Sequence, residues 1–186
     1  MGWLRNWRRR RLLAQQRIDE ALWRAVTRSL PFLRGLAPAD LERLRALSLL
    51  LLVEKDISGA RGLALDDAMR LSIAVQACLP VMNLGLDRYD VWSEIVVHPG
   101  DFRVKVTETD EQGVVHEFDD ERAGESWQGG PVVLSWDAAR NAPDMNVVIH
   151  EFAHKLDMAS GEADGMPPLH SGMDRRAWAQ VFRVAY

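Results

Sequence analysis

The chain has 186 residues, 47% of them apolar, with 23 basic and 27 acidic side chains and a net charge of −4. That apolar content excludes wholesale disorder, and the acidic balance argues against a dedicated nucleic-acid binder. A lone cysteine, Cys78, excludes an internal disulfide framework. No apolar run approaches the ~20 residues of a membrane helix.

The net charge hides a split. Residues 1–34 hold nine arginines against Asp19 and Glu20, a surplus of seven positive charges, so the remainder carries −11. No apolar stretch or small-residue cleavage site follows the arginines, so a signal peptide is not expected and the cytoplasm is the default location. Trp3, Trp7 and the Arg8–Arg11 run raise membrane-surface or nucleic-acid contact as a hypothesis. The preferred reading is a solvated, partly frayed helix start, with neither a membrane nor a nucleic-acid partner expected.

In chain order, residues 10–29 are predicted as one amphipathic helix, with Leu12, Leu13, Ile18, Leu22 and Val26 at near-helical spacing and Pro31 as its stop. A second helix is expected from Pro38–Asp40 to Glu54, since Pro38 and Asp40 suit a first turn. Gly59 and Gly62 mark a loop. Leu65–Leu79 reads as a buried third helix ended by Pro80, with Cys78 as a small core residue rather than a nucleophile. The periodicity then changes. Glu94–His98 is a short buried strand, and Phe102–Thr107 alternates with period two. Gly113 marks a turn, and Val114–Phe118 returns as the second arm of a hairpin. Val132–Trp136 is a further strand and a candidate sheet edge for pairing with a substrate main chain. A helix over 144–158, a Gly/Pro-bearing loop and a last helix over 175–186 complete an α+β order.

The chemistry is concentrated in residues 147–158, VVIHEFAHKLDM. His150 and His154 stand four apart on the predicted helix, hence on one face. That spacing lets two imidazoles reach one Zn²⁺, while Glu151 can act as the base for water. Both the apolar helix around the motif and the strand before it support this over two ordinary surface histidines. Lys155, directly after the second His, is unusual for generic zinc peptidases. A third protein ligand is not evident. Asp157 is better placed to accept the second N–H of an imidazole, while Glu162, Asp164 and His170 sit in the following loop. His116–Glu117–Phe118 repeats the start of the motif but meets Asp120 where a second His is needed, in a predicted strand. It reads as structural, and His98 reads as an ordinary surface or core histidine.

These residues resemble a known family. The blocks IAVQACLP at 73–80, NLGLD at 83–87, GESW at 124–127, GPVVLSWD at 130–137, NVVIHEFAHKLDM at 146–158 and ADGMPPL at 163–169 are similar to the bacterial zinc-dependent peptidases of the Mlc titration factor A family, relatives of the anthrax lethal factor catalytic domain. HEFAHKLD with its lysine is typical there. The resemblance implies a zincin-like, cytoplasmic metallopeptidase with N-terminal helices, a small mixed sheet and an HExxH helix. It implies His150 and His154 as zinc ligands, Glu151 as catalytic base and a peptide substrate. Its third ligand, a Glu on a later helix preceded by an active-site Tyr, is expected beyond Tyr186, so the chain reads as C-terminally incomplete and weakly active or inactive alone. The family name implies a glucose-responsive transcriptional repressor as a partner. The expected organisation is a helical region, 1–60, packed on a catalytic part, 61–186. The rival expectation is a non-catalytic module that sequesters a transcriptional regulator.

Overall fold

The computed structural model describes residues 2–109, 115–141, 145–161, 163–169 and 171–185. It is α+β, with seven α-helices among the described residues and two small sheets. The first expected helix is two. α1 (Gly2–Gln15) and α2 (Glu20–Ser29) are separated at Asp19, whose carboxylate accepts from the Leu22 N–H and caps α2. Helix α1 therefore begins well before the predicted start at residue 10. The cap is a local competitor that a continuous apolar period conceals. α3 (Pro38–Glu54) and α4 (Asp67–Cys78) lie where expected, α4 capped by Asp66. Every α4 residue from Leu71 to Cys78 is buried. Burial pushes the Cys78 thiol pKa up, which suits a packing role.

The principal sheet has the order β1 (Asp56–Gly59), β2 (Glu94–His98), β6 (Val132–Ser135), β5 (Gly124–Ser126). β1, β2 and β6 run parallel, and β5 is antiparallel to β6. The hairpin β3 (Phe102–Thr109) and β4 (Val115–Arg122) forms its own two-stranded sheet. Its turn residue, Gly113, lies outside the described residues. Two elements depart from expectation here. β6 is not an edge: β2 pairs with it on one side and β5 on the other. Among the described residues, the strand that leaves one side unpaired next to the helix of the motif is β5. Trp136 does not extend β6 but opens a short helix, α5 (Trp136–Arg140), capped by the Ser135 hydroxyl.

α6 (Val147–Asp157) carries the histidine pair, and α7 (Arg175–Ala185) follows the last loop. Asn146 joins α6 to the helical layer. Its side-chain oxygen caps the Ile149 N–H at 2.9 Å, while its Nδ2 donates to buried Gln76 of α4 at 2.7 Å. One continuous core runs from Ile18 of the N-terminal region to Phe152 of α6. No helix among the described residues is long and apolar enough to cross a membrane.

Candidate metal centre

The start of α6 is set by its Asn146 cap, and its period places Val147, Val148, Glu151, Phe152 and Lys155 inward. The two histidines fall on the outer side, His150 exposed and His154 half-buried. Their rings meet edge to face, and the two Nε2 atoms lie 3.1 Å apart. Two nitrogens at that separation can both stand ~2.0–2.1 Å from one ion, with an angle of about 100° between them, close to the tetrahedral preference of zinc. The donor set thus fits a divalent ion of the zinc type. Among the described residues, no group of three or more His, Cys, Asp or Glu side chains is arranged to hold a metal.

Glu151 turns the other way, toward the sheet, and is 5% exposed. Edge strand β5 holds it. The Ser126 hydroxyl donates to Glu151 Oε2 at 2.7 Å and lies 2.9 Å from the main-chain oxygen of Glu151. A buried carboxylate without such a donor would carry a large desolvation penalty. Gly124 supplies the space. A Cβ there would stand 2.7 Å from Cγ and Oε1 of Glu151 and 2.7 Å from Cγ2 of Val147. The absence of a side chain at 124 is therefore what lets α6 and β5 approach closely enough for Ser126 to reach the carboxylate. Both residues lie in the GESW block, but nothing in their local pattern announces the contact. It depends on a sheet order that three residues cannot reveal.

Arg122 flanks the site, with Nη1 2.9 Å from Glu125 and Nε 2.8 Å from Asp120. The Asp120 hydrogen bond, aided by Glu125 and Glu151, raises its pKa. Arg122, Glu125 and Met158 border an open cleft of about 390 Å³ in front of His150, Glu151 and His154.

Lys155 is buried and donates to the main-chain oxygens of Trp127 and Gly130, at 2.7 Å for the latter. It thereby ties the loop between β5 and β6 to α6. Burial lowers its pKa to about 8. Its Nζ lies 5.6 Å from the centre of the Trp92 ring, and Lys55 Nζ lies 4.2 Å from the same ring. Lys55 also donates to the main-chain oxygens of Tyr89 and Trp92. Two ammonium groups thus share one indole, a favourable cation–π arrangement in a place that charges otherwise avoid.

Burial lowers the Lys55 pKa below its ordinary 10.5. A lysine with a lower pKa folded than unfolded releases its proton first in the native state, so its burial penalty fades as pH climbs toward the unfolded value. Relative to Lys55→Met, the native chain is expected to gain stability as pH approaches 10.5 from below. Denaturant unfolding of both proteins across that range checks this, and a constant difference would contradict it.

Other singled-out residues have ordinary roles or lie elsewhere. Asp157 Oδ2 accepts from the Gly165 N–H at 2.8 Å, and Asp164 accepts from Met166 in the same loop. His98 packs on Phe102, ring centres 4.9 Å apart. The backbone of His116 and Glu117 is in β4, and their side chains lie outside the described residues. Glu162, His170 and Tyr186 also lie outside them.

A family model for the glucose-regulated metallo-peptidase M90 matches residues 4–186. The chain belongs to that family. An uncharacterized protein of Synechocystis sp. is 37% identical over 99% of this chain and 68% of its own length. Mlc titration factor A of Pectobacterium atrosepticum is 37% identical over 88% of this chain and 62% of its own length, and that of Cronobacter sakazakii is 37% identical with the same coverage. The chain therefore spans somewhat under two thirds of the length of these two titration factors. Membership of M90 supports a metallo-peptidase type of protein with a metal cofactor.

Proposed function

We propose that the chain carries two ligands and the base of a zinc-dependent peptidase site, in a zincin-like HExxH arrangement. The observation that supports this most is the paired Nε2 atoms, 3.1 Å apart, beside a buried carboxylate held by Ser126. His150 and His154 would hold the ion. Bound zinc supplies Lewis acidity, polarising a peptide carbonyl and bringing the acidity of water toward neutral pH. Glu151 takes the proton from the attacking water and passes it to the leaving amine. Ser126 engages Oε2, leaving Oε1 to accept that proton, and keeps the carboxylate from rotating away. β5, the edge strand, is the segment on which an extended peptide would align by main-chain pairing. The region 1–60 is read as packed on this catalytic part, in a cytoplasmic protein.

A second reading draws on the titration factor name of the relatives. The protein would sequester a glucose-responsive transcriptional repressor, as well as or instead of cleaving peptides. Calorimetric zinc titration tests the assigned ligands, and repressor binding with and without metal separates the two readings. Zinc is expected to bind the native chain, and His150→Ala or His154→Ala should weaken it at least ~10-fold by removing one of the protein nitrogens. Zinc affinity equal in all three would refute the assigned ligands. Repressor binding that survives chelation and both substitutions would favour the sequestering role.

A further inference from the structure

Helix α1 is docked with its polarity inverted. An amphipathic surface helix ordinarily turns its aromatic and aliphatic residues inward and its charges outward. Here Arg5 and Arg9 point inward. Arg9 makes a two-pronged pair with Glu54, both distances 2.7 Å, and also reaches Asp87, while Arg5 pairs with Asp90 and Asp87. The Arg9 side chain is only 12% exposed. Leu12 and Leu13 complete the inner face against the core. The outer face carries Trp3, Leu4 and Trp7, exposed by 76%, 58% and 50%. Trp3, Trp7 and Arg11 fall one turn apart along it. The exposed Arg8 and Arg10 flank them, and the Arg11 guanidinium lies 5.6 Å from the centre of the Trp7 ring.

We infer that the outer face of α1 docks on an anionic lipid surface. Indole rings among arginines favour the boundary between headgroups and acyl chains, where an amphipathic ring meets both phases and the guanidinium meets phosphate. The charge pattern directs the contact: Arg8, Arg10 and Arg11 of α1 face outward on a chain whose residues beyond 34 carry −11. The acidic body is thereby repelled from the same surface, so the molecule would sit on it by α1 alone. A nucleic acid fits less well, because Leu4 offers a base no stacking partner and the acidic body opposes a long polyanion. The inward ion pairs matter as well. They hold α1 on the body with its apolar side already presented, so little ordering remains to be done on binding. The orientation of α1, which no composition argument supplies, is what moves the reading beyond a solvated helix start. It is independent of the proposed peptidase chemistry.

The test is co-sedimentation of this chain with vesicles of phosphatidylglycerol and phosphatidylcholine, against vesicles of phosphatidylcholine alone. Binding is expected only to the anionic vesicles and should fall with added salt. The variant Arg8→Gln/Arg10→Gln/Arg11→Gln should bind roughly 100-fold more weakly, about fivefold for each arginine. Trp3→Ser/Trp7→Ser should lose binding while keeping the same far-UV spectrum and unfolding midpoint, because the inward pairs are untouched. No binding to anionic vesicles overturns the inference. So does equal binding by the variants, binding of a DNA duplex without vesicles, or Trp-dependent dimerisation in their place.

Discussion

Glu151→Gln is expected to lower peptide hydrolysis by about 10²–10⁴-fold while leaving zinc affinity and fold unchanged. Glutamine preserves the shape of the side chain and still accepts from Ser126 through its amide oxygen, so the hydrogen bond at Oε2 survives in kind. What it lacks is a group able to take a proton from water. The loss should appear in kcat rather than in KM, since the interaction removed is made in the transition state. The measurement is a peptide-cleavage assay on the zinc-loaded full-length protein in parallel with a zinc titration. Hydrolysis within about threefold of native would remove Glu151 from the mechanism. A parallel collapse of zinc affinity would mean that the carboxylate holds the site together rather than serving as base.

Phe152→Ala should cost about 3–5 kcal/mol of stability. Phe152 has no exposed surface and lies beside Glu151 on the inward side of α6. Its ring packs on Tyr89 and Trp92, with centres 5.2 and 5.4 Å away, mostly edge to face. Removing it opens a cavity under the helix that carries both histidines, so zinc affinity should fall with stability. Phe152→Leu, which refills most of the volume, should restore most of both. Denaturant unfolding gives the magnitude. A cost below about 1 kcal/mol would mean that the neighbours collapse into the space and that α6 is anchored elsewhere.

The elements that sequence patterning reveals are those with enough residues to show a period. α3, α4, β2, β3 and α7 follow their apolar spacing closely, and α6 begins within the predicted helix. β1 offers a single buried apolar residue, Ile57, in four, and β5 offers three residues with no apolar side chain at all. Neither can be told from a loop without its neighbour, because pairing partners are far away in the chain. α5 did leave a signal, Ser135 as cap and Asp137 in the first turn, but the apolar run ending at Trp136 outweighs it. The site divides the same way. The spacing of His150, Glu151 and His154 is legible because all three lie on one helix. Ser126 and Gly124, which position Glu151, come from a strand whose place next to α6 exists only after the sheet has formed. The same blindness made β6 look like an edge.

That sheet order also has a temporal consequence. Ile57 pairs with Ile95, and Ile95 in turn with Val132. Each parallel pairing therefore closes a large loop of chain before any hydrogen bond rewards it, whereas α3 and α4 can meet across a short connection. Distant pairings of this kind slow folding, and local helical contacts come first. The β5–β6 pair beside Glu151 is local, but the parallel sheet that backs it is then among the last parts of the molecule to assemble. A newly made chain would hold its helical layer for some time before it held a site able to act on anything, including itself.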